Sequence, residues 1–128
     1  MLVMKKLDEL SVELVVMAGW MRIVGEEIIN RFENRIINIH PSLLPSFKGI
    51  NAIQQAIDER VTITGCTVHY VQKEVASGSI IIQAAVPIQE HDSKETLKER
   101  IQKMEHIILP LAIAKAAKNI RNCLKDKK

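Results

Sequence analysis

Aromatic side chains are almost missing from this sequence: two Phe, one Tyr and one Trp make up 3% of its 128 residues. So few flat rings cannot build a stacking platform for single-stranded nucleic acid. Cysteine is as scarce. Cys66 and Cys123 stand far apart with no metal-ligand spacing, which reads as two reduced thiols in a cytoplasmic protein. No apolar run approaches the ~18 residues that a membrane-spanning helix needs. The first charges, Lys5 and Lys6, follow a short apolar run and lead into an acidic helical pattern, unlike a secretory signal. No G-x-G-x-x-G or P-loop phosphate motif occurs, and no His/Cys cluster suggests a metal.

What is present is an ordinary globular balance of 47% hydrophobic and 26% charged residues, enough for a single domain over 1–128. The net charge of +3 is unevenly placed. From Lys115 onward six cations face one acid, so this tail carries +5 and the rest of the chain −2. Residues 119–128 read as a basic, frayed helix end rather than a nucleic-acid patch.

Periodicity predicts alternating strands and helices. Residues 4–11 read as a short helix. Leu14 to Ala18 is a continuous apolar run, suited to a strand buried on both faces. A helix over Glu26–Phe32 follows, with Ile28, Ile29 and Phe32 inward. A strand over Arg35–His40 ends at Pro41. Asn51 to about Arg60 is helical, Val61 to Val71 alternates as a strand with a bend at Gly65, and 76–79 is a turn. Ile80–Val86 is a strand stopped by Pro87. Asp92, with Glu95 three residues on, predicts the cap of a long helix. Its apolar stripe is Leu97, Ile101, Met104, Ile108 and Leu111, and Pro110 should kink or break it. The order of elements implies an α/β layer fold. The first two strands should be parallel and the last two a hairpin-like pair, giving a mixed sheet.

Chemistry is expected beyond the carboxyl ends of such strands. Asn38 and His40 are two residues apart, so they share one face of their strand while Ile37 and Ile39 take the other. An amide beside an imidazole suits carbonyl chemistry: one stabilises a developing oxyanion, the other moves a proton. The same pair also fits a polar strand end bonded to its own loop. Gly19-Trp20-Met21-Arg22-Ile23 reads either as a loop with a packed Trp or as a backbone wall for a planar heterocycle. His69 shares a face with Thr67 and Val71. Glu105-His106 lies mid-helix, where a charged pair normally faces solvent.

The stretch Asn38-Ile-His-Pro-Ser-Leu-Leu-Pro-Ser-Phe-Lys-Gly49 resembles the signature of the glycinamide ribonucleotide formyltransferase family. Ala18–Ile23, Thr64–Val71, Ile80–Gln83 and Glu105-His106 match further blocks, so the resemblance spans roughly residues 12 to 115. It implies a formyltransferase-like, mostly parallel mixed sheet flanked by helices. It also implies transfer of a formyl group from 10-formyltetrahydrofolate to the amine of glycinamide ribonucleotide, in purine biosynthesis and without a metal. By position, Asn38 would bind the formyl oxygen, His40 would be the catalytic imidazole, and His69 would lie near the formyl group. The backbone of Met21, Arg22, Ile23 and Val24 would hold the pterin-like ring, and Glu105 would face the ribonucleotide.

Two departures from the family pattern qualify this. The family's aspartate partner of the catalytic histidine is replaced by Ala76, with Glu74 the nearest carboxylate. The chain also opens before the family's fourth strand, so about 70 residues of βα units and their phosphate-binding loop are expected to be absent. Leu14–Ala18 would then be a sheet edge, and a homodimer through it is expected. The chain as it stands reads as an inactive or impaired enzyme. A folate- or protein-binding module without catalysis, a formyltetrahydrofolate hydrolase and a methionyl-tRNA formyltransferase are the alternative readings.

Overall fold

A computed structural model describes residues 14–18, 26–71 and 79–126. Its elements are β1 (Val15–Ala18), α1 (Glu26–Arg31), β2 (Ile36–His40), α2 (Ala52–Asp58), β3 (Ile63–Tyr70), β4 (Ile80–Pro87) and α3 (Lys94–Asp126). The four strands lie in the order of the chain, β1-β2-β3-β4. β1 runs parallel to β2, while β2–β3 and β3–β4 are antiparallel, so the sheet is mixed as expected, but among the described residues it is mostly antiparallel rather than mostly parallel. The helix expected over 4–11 lies outside the described residues, as does most of the 76–79 turn.

Strand alternation divides the core in two. Ile37 and Ile39 of β2, with Cys66 and Val68 of β3, meet Leu97, Ile101, Ile108, Ala112 and Ala116 of α3, and Ile53 of α2 joins them. On the other face, Ile36 packs against Ile29 and Phe32 of α1 and the turn after it, flanked by Val15 and Met17. Leu97 and Ile101 are fully buried. Each contributes roughly 1.5–3 kcal/mol relative to an exposed position. The α1 cluster reaches only the start of β2, so the later residues of that face, Asn38 and His40, are left to a different use.

Several expectations are corrected. β1 is not buried on both faces: Val16 is 39% exposed, and among the described residues β1 pairs on one side only, with β2. Gly65 marks a close approach rather than a bend. It pairs in regular register with Ala85, and a Cβ there would stand 2.0 Å from the Ala84 carbonyl oxygen. The irregularity in that pairing lies at Val68/His69 instead. β4 runs on through Pro87, which sits at the strand end opposite Ile63.

The long helix begins one residue later than the cap expected at Asp92. Ser93 Oγ accepts the Thr96 amide and the Thr96 hydroxyl accepts the Ser93 amide, a reciprocal cap that uses Thr96 and not Glu95. Asp92 instead accepts the Gln89 amide and pairs with Arg100, whose guanidinium holds the Asp92 carboxyl well below the usual range. Pro110 does not break α3, which is continuous to Asp126. The ring costs about 3 kcal/mol in a helix interior, but Ile108 and Ala112 anchor the helix to the sheet on either side of it. His106, whose carbonyl loses its donor, is exposed, so solvent can take that bond. Leu111 is 58% exposed and off the stripe, which continues through Ala112, Ala116 and Ile120.

Candidate functional site

β2 and β3 carry a polar patch on the face that α1 leaves uncovered. Their register sets Asn38 opposite His69 and His40 opposite Thr67. In antiparallel pairing, residues directly opposite point to the same side. Asn38, His40, Thr67 and His69 therefore form one group on one face. Gln83 of β4, opposite Thr67, extends it. His40, Thr67 and His69 are all buried.

The loop after β2 closes over this group. Thr67 is fully buried, and its hydroxyl is used to capacity. It donates to the Ser42 carbonyl at 2.7 Å and accepts the Leu44 amide at 3.1 Å and the Gln83 side-chain amide at 3.1 Å. A hydroxyl has one proton and two lone pairs, so nothing is left over. The Gln83 amide also donates to the Leu44 carbonyl at 2.9 Å. Ser42 Oγ donates to the Ser46 carbonyl at 2.6 Å. Phe47 and Asn51 take left-handed backbone angles, φ 53 and φ 60, which fold the loop back on itself. Leu43 seats against β3 at Gly65, where a Cβ would come within 2.8 Å of its Cδ2.

This fold-back brings the Phe47 carbonyl to 2.9 Å from His40 Nε2. Burial lowers the affinity of the His40 ring for a proton, the Phe47 carbonyl partly restores it, and nearby His69 lowers it further. His40 is thus held neutral more readily than a free histidine. His69 Nδ1 lies 3.0 Å from the carbonyl of Tyr70. Oδ1 of Asn38 is buried and has no hydrogen-bond partner among the described residues. Native interiors rarely leave such an atom unserved, and functional sites are where they do.

The structure therefore brings together Asn38, His40 and His69 of the expected residues. Glu105 is not in this group. It lies on α3, against the opposite face, near enough to Cys66 that its carboxylate adds to the burial that pushes that thiol up to about 12. Burial also raises the Glu105 carboxyl, offset by His106 and Lys98. Met21, Arg22, Ile23, Val24 and Ala76 lie outside the described residues. Gln83 and the Phe47 carbonyl were not singled out from sequence. A lone amide in the apolar run Ile80-Ile81-Ile82-Gln83 was the available signal for the first. A backbone carbonyl leaves none.

A family profile described as Formyl transferase matches residues 2–113. The trifunctional purine biosynthetic protein adenosine-3 of Bos taurus is 50% identical over 107 residues, 84% of this chain and 11% of that protein. The phosphoribosylglycinamide formyltransferase of Bacillus subtilis is 48% identical over 103 residues, covering 80% of this chain and 53% of its own length. The crystal structure of phosphoribosylglycinamide formyltransferase from Bacillus halodurans superimposes with a TM-score of 0.85 at 48% identity, over 88% of this chain and 58% of that one. The chain thus spans about half the length of these two bacterial relatives.

Proposed function

From the premise that this chain belongs to the formyl transferase family, we propose that it binds 10-formyltetrahydrofolate at the Asn38–His40–His69 group. The reaction such a site serves is formyl transfer to the amine of glycinamide ribonucleotide, in purine biosynthesis. The observation that carries this reading is the buried Oδ1 of Asn38, unpartnered among the described residues, on the same face as two imidazoles. The Asn38 amide group offers both an acceptor for a ligand N–H and a donor for the formyl oxygen. As the amine attacks the formyl carbon, charge collects on that oxygen, where a preplaced donor stabilises it. His40, held neutral, can take the proton that the amine gives up. The bond to the folate nitrogen then breaks, and that nitrogen leaves with a proton.

Met21, Arg22, Ile23 and Val24 would line the ring site; the resemblance also assigns Glu105 to the ribonucleotide, whereas the structure sets it against the opposite face of the sheet, beside Cys66. Both assignments rest on the resemblance alone. Ala76 stands where the family has an aspartate, and a methyl group neither favours an imidazolium nor relays a proton. We therefore read the chain as one that binds folate with impaired or no turnover. Cytoplasmic location and a homodimer through β1 belong to the same reading. The dimer is supported by the one-sided pairing of β1 among the described residues and by exposed Val16.

The test is titration calorimetry of the chain with a 10-formyltetrahydrofolate analogue, alongside Ala76→Asp and Asn38→Ala. Binding by the first two and weaker binding by Asn38→Ala support the reading. No binding by any of them overturns it.

A further inference from the structure

We infer that Gln83 and Thr67 are positioning residues for His40: they clamp the 42–47 loop so that the Phe47 carbonyl fixes which ring nitrogen carries the proton. This rests on the reading of His40 as the proton-transferring group, and deepens it.

The chain of contacts is short and complete. A carbonyl oxygen can only accept, so the 2.9 Å contact between His40 Nε2 and the Phe47 carbonyl requires the proton on Nε2. In the neutral ring the lone pair is then on Nδ1, and Nδ1 is the atom that receives a proton. That choice lasts only while the Phe47 carbonyl stays where it is. Phe47 belongs to a loop whose Ser42 carbonyl, Leu44 amide and Leu44 carbonyl are bound to Thr67 and Gln83. The Gln83 side-chain amide spans from the loop to the Thr67 hydroxyl, a link between residues 39 positions apart in the chain. Ser42 Oγ, through the Ser46 carbonyl, ties the loop's first turn to its last. Gln83 itself is exposed on β4, the last strand of the sheet among the described residues, so its amide is spent on the loop rather than on the core.

The experiment is nitrogen-15 NMR of the imidazoles, with the His40 signals assigned by His40→Gln. In the unaltered chain Nε2 is expected to be protonated, Nδ1 unprotonated, and the Nε2 proton slow to exchange. Gln83→Ala, at an exposed position, and Thr67→Val, of the same shape as Thr, are expected to speed that exchange by about tenfold or more. They are also expected to mix the tautomers and lower the His40 pKa, because the Phe47 carbonyl supports the charged ring. Thr67→Ser, which keeps the hydroxyl, is expected to restore the native signals. His40 signals in Gln83→Ala that match the unaltered chain would overturn the inference. So would an unprotonated Nε2 in the unaltered chain. The functional reading fails separately: a chain with the expected Nε2 proton that binds no folate analogue loses the function and keeps the clamp.

Discussion

Asn38 and His69 face each other across the antiparallel β2–β3 pair. Oδ1 of Asn38 is buried and without a hydrogen-bond partner among the described residues, beside an imidazole that is itself buried. Burying an unserved amide costs about 1–3 kcal/mol by mutational measures. Asn38→Leu, similar in size, is therefore expected to leave stability unchanged or raise it by about 1 kcal/mol in urea unfolding. The same variant is expected to lose folate-analogue binding. A clear loss of stability would show that Asn38 is a structural residue.

Gly65 offers a sharper structural test. A methyl group there would lie 2.0 Å from the Ala84 carbonyl oxygen and 2.8 Å from Leu43 Cδ2. The first contact is with backbone, which can yield only by opening the β3–β4 pair. Gly65→Ala is expected to destabilise by about 3 kcal/mol or more, or to prevent folding. A folded variant of near-native urea midpoint would contradict this packing.

Thr67→Val should cost stability through its partners rather than its shape. It leaves the Leu44 amide and the Ser42 carbonyl without the hydroxyl that serves both. Roughly 1–3 kcal/mol is expected from urea melts, and Thr67→Ser should recover most of it.

His40 makes stability depend on pH. Its folded pKa lies below 6.5, so between that folded value and 6.5 the unfolded chain binds more protons. Stability contributed by His40 is therefore complete above about 6.5 and falls as pH drops through that window. Glu105 acts oppositely, since its raised pKa removes stability as pH rises above 4.5. The difference between the unaltered chain and His40→Gln isolates the histidine. That difference should flatten above neutrality. A difference that grows above pH 7 would reverse the assigned sign.

Cys66 is fully buried with its thiol pushed up to about 12. Thiolate is the reactive form, so alkylation of Cys66 at pH 8 is expected only through unfolding. Peptide mass mapping should show the modification rate tracking the urea melt. Fast labelling in native buffer would place Cys66 outside the core.

Much of this was legible in the sequence because it follows from local periods. A strand alternates every two residues, so Asn38 and His40 had to share a face opposite Ile37 and Ile39. Most of the α3 stripe followed from helical spacing for the same reason. Its later part did not: Leu111 and Ala112 are adjacent, and either continues the pattern on paper. Packing on the sheet chose Ala112, whose small side chain permits close approach, and left Leu111 exposed.

What the sequence by itself determined, then, is the order of the elements, the inward face of β2 and the pair Asn38–His40. Tertiary structure alone decided that His69 stands opposite Asn38, that Glu105 sits on the far face of the sheet, and that Thr67 and Gln83 hold the loop whose Phe47 carbonyl meets His40. The reason is register. Period fixes which way a side chain points, but sliding a strand along its neighbour by two residues keeps every face and changes every partner. Only the burial of Ile37, Ile39, Cys66 and Val68 against α3, with the loop fastened to Thr67, selects one alignment.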